Sequence, residues 1–340
     1  MDRLATLRDL FGNPNVELEG NALQVGNLTY PVVNDVIILL PPEQYPPPLK
    51  RLLSASAPSE PQATVAGSAT SFPSETQLLF GEEWAAFPQI LPEREREFSQ
   101  YFDLVDLESF RDHRVCDLGC GIGRWSLFLK DYCRELILVD FSEAIFIARQ
   151  NLEGVSNALF FMADLQHLPF RADFADDIIC LGVLHYLRTS ALDEVRALKR
   201  FAPRLLFYIY YAFDNRPWYF SALHRLVTRL RRPLMGIESP GFRSGMTWLV
   251  SLLVYLPLVW LGKSLQPLGL AGAVPLYDGY HDRTVRQIRQ DVYNRLFAPI
   301  EQRVTRREVL QLSDTFASVR ISDQIPYWHF LCERWKSRER

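Results

Sequence analysis

The sequence predicts an α/β protein built on a doubly wound, mostly parallel sheet. Three observations predict it. From residue 113 onward, apolar runs alternate with segments of helical period. The first run ends in a glycine-rich turn, Asp-Leu-Gly-Cys-Gly-Ile-Gly at 117–123, that opens a helix. Two further runs also end in a carboxylate, Asp140 and Asp164. The runs lie at 114–117, 136–140, 159–162, 176–181 and 204–211, with helices between them at 123–131, 143–152 and 190–201. Alternation of this kind places helices on both faces of a parallel sheet.

Composition bounds the rest. At 340 residues the chain exceeds one ordinary core, so a large domain with an attachment or insertion is expected. Hydrophobic residues make up 48% and charged residues 23%, ordinary for a globular protein. The formal net charge of -3 supplies no global basic field, so no nucleic-acid partner is expected. The five cysteines (Cys116, Cys120, Cys133, Cys180 and Cys332) form no Cys-x-x-Cys pair. Neither a disulfide framework nor a metal site is expected from them. The stretch Met1–Gly12 has no signal-peptide core, so the expected location is cytoplasmic.

Residues 1–50 read as a small β-rich accessory module. Ala22–Val25 and Tyr30–Leu40 form two strands around a turn at Gly26-Asn27, and Pro41 ends the second. Residues 51–77 are rich in Ser, Ala, Pro and Thr and read as a flexible linker. The alternating core spans 78–212, a capping insertion 213–312, and a closing hairpin 313–336. Glu93–Phe110 has helical spacing, with Phe98, Tyr101, Phe102 and Val105 on one face. In the cap, Met246–Leu261 is almost wholly apolar but contains Pro257. At roughly 16 residues it falls short of the roughly 20 that a bilayer span needs, so a buried cap helix is expected. Arg225, Arg229, Arg231 and Arg232 precede it, and they leave peripheral membrane contact through 225–261 open.

The glycines at 119, 121 and 123 let a ligand lie on bare backbone. A dinucleotide fingerprint would need its last glycine at 124, where Arg124 stands. The pattern D-x-G-x-G-x-G instead resembles the cofactor loop of class I S-adenosylmethionine (SAM)-dependent methyltransferases. The resemblance covers about 80–212 and the final hairpin at 316–322 and 327–334. It implies a seven-stranded Rossmann-like sheet with a terminal antiparallel pair, a cap before that pair, and SAM as cofactor. It places Asp117 by the amino group, and Gly119, Cys120, Gly121 and Gly123 along the methionine portion. Asp140, followed by Phe141, would take the ribose diol, 17 residues after Gly123. Asp164 and Leu165 would meet the adenine, and Leu181 and Gly182 the sulfonium. The carboxylates of Asp117, Asp140 and Asp164 are expected to converge along one rim.

The segment Leu181–Leu187 resembles the family's "VLHHL"-type strand end, with Tyr186 in place of the second histidine. His185, with Tyr186, is the candidate catalytic group, because imidazole titrates near neutrality. Phe201-Ala202-Pro203-Arg204 departs from the usual Pro-Gly-Gly turn. Residues 30–40 resemble the end of a zinc-ribbon-like module, here without cysteines and so held by packing. The resemblance implies in-line methyl transfer to O, N or C of a small organic acceptor. Tyr210, Tyr211, Tyr277, Tyr280 and His281 are candidate acceptor contacts. Two alternatives stand beside it: a membrane-associated enzyme for a lipid- or quinone-like acceptor, and a SAM-binding scaffold without turnover.

Overall fold

The computed structural model describes residues 1–56, 74–91, 94–237 and 239–334. The N-terminal strands are β1 (Val16–Glu19), β2 (Ala22–Val25), β3 (Leu28–Val33) and β4 (Val36–Ile38). The apolar runs form β5 (Arg114–Leu118), β6 (Glu135–Asp140), β7 (Ala158–Met162), β8 (Asp177–Leu181) and β9 (Arg204–Tyr208). The chain closes with β10 (Ser318–Ile321) and β11 (His329–Glu333). All eleven lie in one sheet, in the order β1-β2-β3-β4-β7-β6-β5-β8-β9-β11-β10.

Seven of these strands, β5 to β11, make the expected mostly parallel sheet with its antiparallel terminal pair. Strands β5 and β8 are buried along their whole length, as strands covered on both faces must be. Successive residues point into opposite apolar layers. Cys116 and Leu118 enter one, and Val115 enters the other. The chain runs outward from β5 through β6 to β7, then returns to the other side as β8. Such a reversal opens a crevice at the carboxyl ends of the strands.

The N-terminal strands differ from expectation in number and attachment. Asn34 and Asp35 have φ of 48° and 68°, which breaks the 30–40 run into β3 and β4. Short polar residues tolerate that left-handed turn. Strand β4 then pairs in parallel with β7, Ile37 opposite Phe161, so these strands extend the main sheet. Helix α1 (Arg3–Phe11) is tied to β5 through Asp9, which pairs with Arg114 at 2.5 Å. Within the expected linker, residues 51–56 end helix α2 (Pro47–Ser56) and 74–77 begin α3 (Ser74–Ala86). The intervening part of that expectation, 57–73, lies outside the described residues. Helix α4 is Arg94–Tyr101, and a 3-10 turn at Leu107–Phe110 follows it.

The core crossovers contain α5 (Arg124–Leu129), α6 (Ala144–Asn151) and α7 (Ala191–Leu198). The cap comprises α8 (Trp218–Met235), α9 (Pro240–Val250), a π-helical turn at Ser251–Tyr255, α10 (Leu256–Leu265), α11 (Tyr277–Tyr280) and α12 (Val285–Phe297). Strand β9 stops at Tyr208, short of the expected 211, but Tyr211 forms a parallel bridge with Val304. The expected buried cap helix is corrected. The continuous helix Pro240–Leu268 is 29 residues long, and only 28% of its most apolar window is buried.

Candidate active site

A cavity of about 800 Å³ runs from the carboxyl ends of β5, β6, β7 and β8 into the cap. Its floor is the glycine turn. Gly119 has φ 74°, and a Cβ there would overlap the Val183 side chain. Only glycine lets the turn pass this close to the β8 end. Gly119 and Cys120 both donate their N–H to the Val139 carbonyl, at 2.7 and 3.1 Å, which pins the turn to β6. Trp84 of α3 lies against Gly121 and also lines the cavity.

Asp140 closes β6 at the cavity wall. One oxygen accepts from Gly121 N at 2.8 Å, the other from Ser142 N at 2.8 Å and Ser142 Oγ at 2.7 Å. Burial pushes its carboxyl up, and the bonds from Ser142 and Gly121 oppose that shift. Phe141, Leu165, Leu181, Gly182, Cys120 and Tyr186 also line the space.

The expected convergence of three carboxylates is corrected: Asp140 alone of the three lines the cavity. Asp117 alternates to the side of the sheet that α5 covers, and accepts from Ser126 Oγ at 2.6 Å. Burial pushes its carboxyl up to about 7. Asp164 caps the turn after β7, accepting from Gln166 N at 3.0 Å and meeting His167 Nδ1 at 2.8 Å. These two shape the wall from behind. Gly123, at the start of α5, also stands outside the lining.

His185 is corrected as well. Its ring is fully buried, stacks on Tyr210 at 3.9 Å between centroids, and does not line the cavity. Burial pushes it down to about 3, so it is neutral near pH 7. Both ring nitrogens lack a hydrogen-bond partner among the described residues. Tyr186 does reach the cavity, with its hydroxyl 3.0 Å from that of Tyr210. Of the other expected acceptor contacts, Tyr210, Tyr211 and Tyr280 line the space, and Tyr277 and His281 do not.

Sequence reasoning missed a polar cluster where α4, α5 and α12 meet. Arg94 bonds Glu97 at 2.5 Å and Gln290 at 2.9 Å, and Gln287 bonds Glu97 at 3.1 Å. Arg283 pairs with Asp291. Arg124 lies over the rings of Trp84 and Trp125, 5.0 and 5.2 Å from their centroids. Burial, and then Arg94 nearby, lower it to about 10, which still leaves a cation at neutral pH. Arg295 sits 5.7 Å from the Tyr210 ring and 5.8 Å from that of Tyr280. Arg124 and Arg295 both line the cavity. Below them Glu301 meets Arg303 at 2.5 Å and Arg231 at 3.3 Å. Against its burial, Arg303, Arg295 and Arg231 hold its carboxyl down to about 2. One signal was present: Asp291 and Arg295 are four apart, which puts both on one face of α12.

Residues 115–202 match a family model described as a methyltransferase domain. The 23S rRNA (uracil(1939)-C(5))-methyltransferase RlmD of Pseudomonas savastanoi pv. phaseolicola is 33% identical over 103 residues, 29% of this chain and 23% of that protein. The uncharacterized methyltransferase YcgJ of Bacillus subtilis is 31% identical over 95 residues, 26% of this chain and 38% of the relative. The crystal structure of YcgJ aligns with 39% of this chain and 59% of its own, at 26% identity and TM-score 0.32. The N-methyltransferase NodS of Bradyrhizobium japonicum, solved with S-adenosyl-L-homocysteine (SAH), aligns with 39% of this chain and 71% of its own. Its identity is 25% and its TM-score 0.33. The chain thus spans about a quarter of the RlmD relative's length. The segment 115–202 is similar to a methyltransferase domain.

Proposed function

We propose that the whole chain is a SAM-dependent methyltransferase whose acceptor is a small organic molecule with a substantial hydrocarbon part. One observation carries this reading. The same cavity that begins at Asp140 and the glycine turn continues, without a dividing wall, to Arg295 and the tyrosines of the cap. The residues present fit SAM. Asp140 offers a carboxylate to a ribose diol, and Phe141, Ala163 and Leu165 offer apolar flanks to a purine. Arg124, with no hydrogen bond to any described residue, offers its charge to an aminoacyl carboxylate. Bound there, SAM supplies an activated methyl group.

The protein's own task is then alignment and exclusion of water. The Arg295 carbonyl accepts from Arg231 Nη1, but its guanidinium has no hydrogen bond or ion pair among the described residues and points its charge toward an acceptor's polar end. Leu234, Val250 and Leu258 wall the far end of the cavity and suit a hydrocarbon part. That apolar end, with the net charge of -3, supports an organic acceptor over an RNA such as that named for RlmD. His185 of the strand-end segment does not reach the space; the imidazole that lines it is that of His224 on α8, whose Nε2 accepts from Arg303 Nε at 3.1 Å.

Calorimetric titration with SAH tests the cofactor half. The wild-type chain is expected to bind, and Asp140→Ala to bind about 100-fold more weakly, through loss of two charge-assisted hydrogen bonds. Circular dichroism checks that the variant is folded. A folded wild-type protein that fails to bind SAH overturns the reading.

A further inference from the structure

The helix Pro240–Leu268 is turned inside out. Its inward face carries Arg243, Thr247, Ser251, Tyr255 and Val259, all buried, at intervals of four. Its outward face carries Trp248, Leu249, Leu252, Leu253, Trp260 and Leu261, each at least 43% exposed. A helix on a protein in water packs the other way, apolar stripe inward. The inward polar groups hold this orientation. Arg243 bonds Glu82 at 2.7 Å and the Ile237 carbonyl at 2.8 Å, and Ser251 Oγ donates to the Thr247 carbonyl at 2.6 Å. Rotating the helix to hide its leucines would strip Arg243 from Glu82, whereas the Ser251 bond, internal to the helix, satisfies that hydroxyl on the buried face.

Helix α8 continues the surface. Leu223, Leu226, Val227 and Leu230 are exposed along one flank. Arg225, Arg229 and Arg232, spaced four and three apart, are exposed on the next. Arg231 alone of that basic run turns inward, to Glu301. We propose that the outward face of α8 and of 240–268 rests on an anionic lipid bilayer, leucines in the acyl boundary and arginines among the headgroups.

Three features favour a bilayer surface as the occupant. Trp248 and Trp260 lie on the outward face, where the membrane interface favours indoles. The arginine row beside an apolar stripe is the charge pattern of an interfacial helix. A second copy of the chain, docked antiparallel about a two-fold axis running across the helices, would bring the arginine rows against each other. A true span is excluded by the packing of α9 and the π-helical turn along α12, which occupies one side of the helix.

The surface also holds the mouth of the cavity. Leu223, Val227, Leu230 and Val254 line the cavity and are each at least 41% exposed. A lipid-soluble molecule can pass between α8 and 240–268 without crossing water. That this molecule is the methyl acceptor rests on the methyltransferase reading, whereas the docking stands on the cap alone.

The test is co-sedimentation of the full chain with phosphatidylcholine vesicles, with and without phosphatidylglycerol, alongside SAH titration. Binding to the anionic vesicles is expected to exceed binding to the neutral ones about tenfold and to fall with salt. The double variant Leu253→Glu, Trp260→Glu should leave the vesicles while keeping wild-type SAH affinity, which shows that it is folded. A chain that binds SAH but stays in the supernatant with anionic vesicles overturns the docking. So does a dimer, seen by light scattering, that the double variant dissolves. A chain that binds vesicles but not SAH keeps the docking and defeats the methyltransferase reading instead.

Discussion

The strand-end half of the cavity and its cap half both hold polar groups along one continuous space, by different means. At the strand ends the work is done by backbone. Two glycines with positive φ, at 119 and 121, and one carboxylate shape the floor within a run of 22 residues, 119–140. In the cap the work is done by side chains far apart in sequence. Arg94 reaches Gln290 across 196 positions, and Arg243 reaches Glu82 across 161. A backbone site tolerates little variation in residue type but draws on neighbouring residues. A side-chain site admits many solutions, and each depends on how distant elements pack.

The largest expected effect contrasts two glycines, one from each half. At Gly119 an added methyl would strike Val183 and meet a φ of 74°. At Gly262, on α10, it would strike the Tyr277 ring, with no unusual φ to add. Gly119→Ala should therefore cost about 3 kcal/mol of stability, from overpacking plus the left-handed penalty, and should abolish SAH binding. Gly262→Ala should cost about 1–2 kcal/mol and shift α10 from α11, leaving SAH affinity near wild type. Urea denaturation and calorimetry read both quantities. Loss of SAH binding in Gly262→Ala would show that the two halves are mechanically coupled.

This contrast governs what could be read from the sequence. The parallel strands, the glycine turn and Asp140 rest on local signals: apolar runs, glycine spacing and a strand-end carboxylate. Asp117 and Asp164 were identified as residues but misplaced in orientation. The side-chain direction of Asp117 follows from strand alternation, and its partner Ser126 lies on the next helix. Asp164 obeyed a turn-capping preference that competes with ligand binding. The break at Asn34-Asp35 went unseen because β-branched and apolar residues flank it on both sides. The guanidinium groups of Arg124, Arg283 and Arg295 carried no spacing that distinguishes a cavity wall from a solvated helix face. The outward turn of 240–268 was likewise invisible, since periodicity shows that two faces differ but not which faces inward.

A middle-sized effect separates the halves by pH. Asp117 titrates at about 7 in the folded protein, against an ordinary carboxylate value of 3.8 in the unfolded chain. The folded state therefore binds the proton more tightly. Its contribution to stability is complete below about pH 4 and is lost as pH rises through 7. Asp117→Asn keeps an acceptor for Ser126 and should remove about 4 kcal/mol of that loss between about pH 4 and about pH 8. Glu83, on the cap-facing helix α3, is pushed up to about 8 by burial and adds a second limb of the same sign. Comparing denaturation curves of wild type, Asp117→Asn and Glu83→Gln across that range assigns each limb to its half of the cavity.

The smallest expected effect falls on the residue that sequence reasoning placed at the centre of the chemistry. His185 is neutral, sealed behind the wall and stacked on Tyr210, so a ring without nitrogens should serve as well. His185→Phe is expected to change kcat less than about threefold and to hold or raise stability by up to ~1 kcal/mol, since two buried, unpaired nitrogens disappear. The pH signature is opposite to that of Asp117. With its folded pKa depressed to about 3, His185 contributes stability that is full above the ordinary 6.5 and is lost as pH falls toward 3. The variant should flatten that acid limb and leave the alkaline side untouched. A fall in kcat of about 100-fold at constant KM, with the acid limb unchanged, would instead mean that the ring swings out to meet the acceptor. The boundary between the two halves would then lie at Tyr210, whose ring meets both the strand-end histidine and the cap arginine.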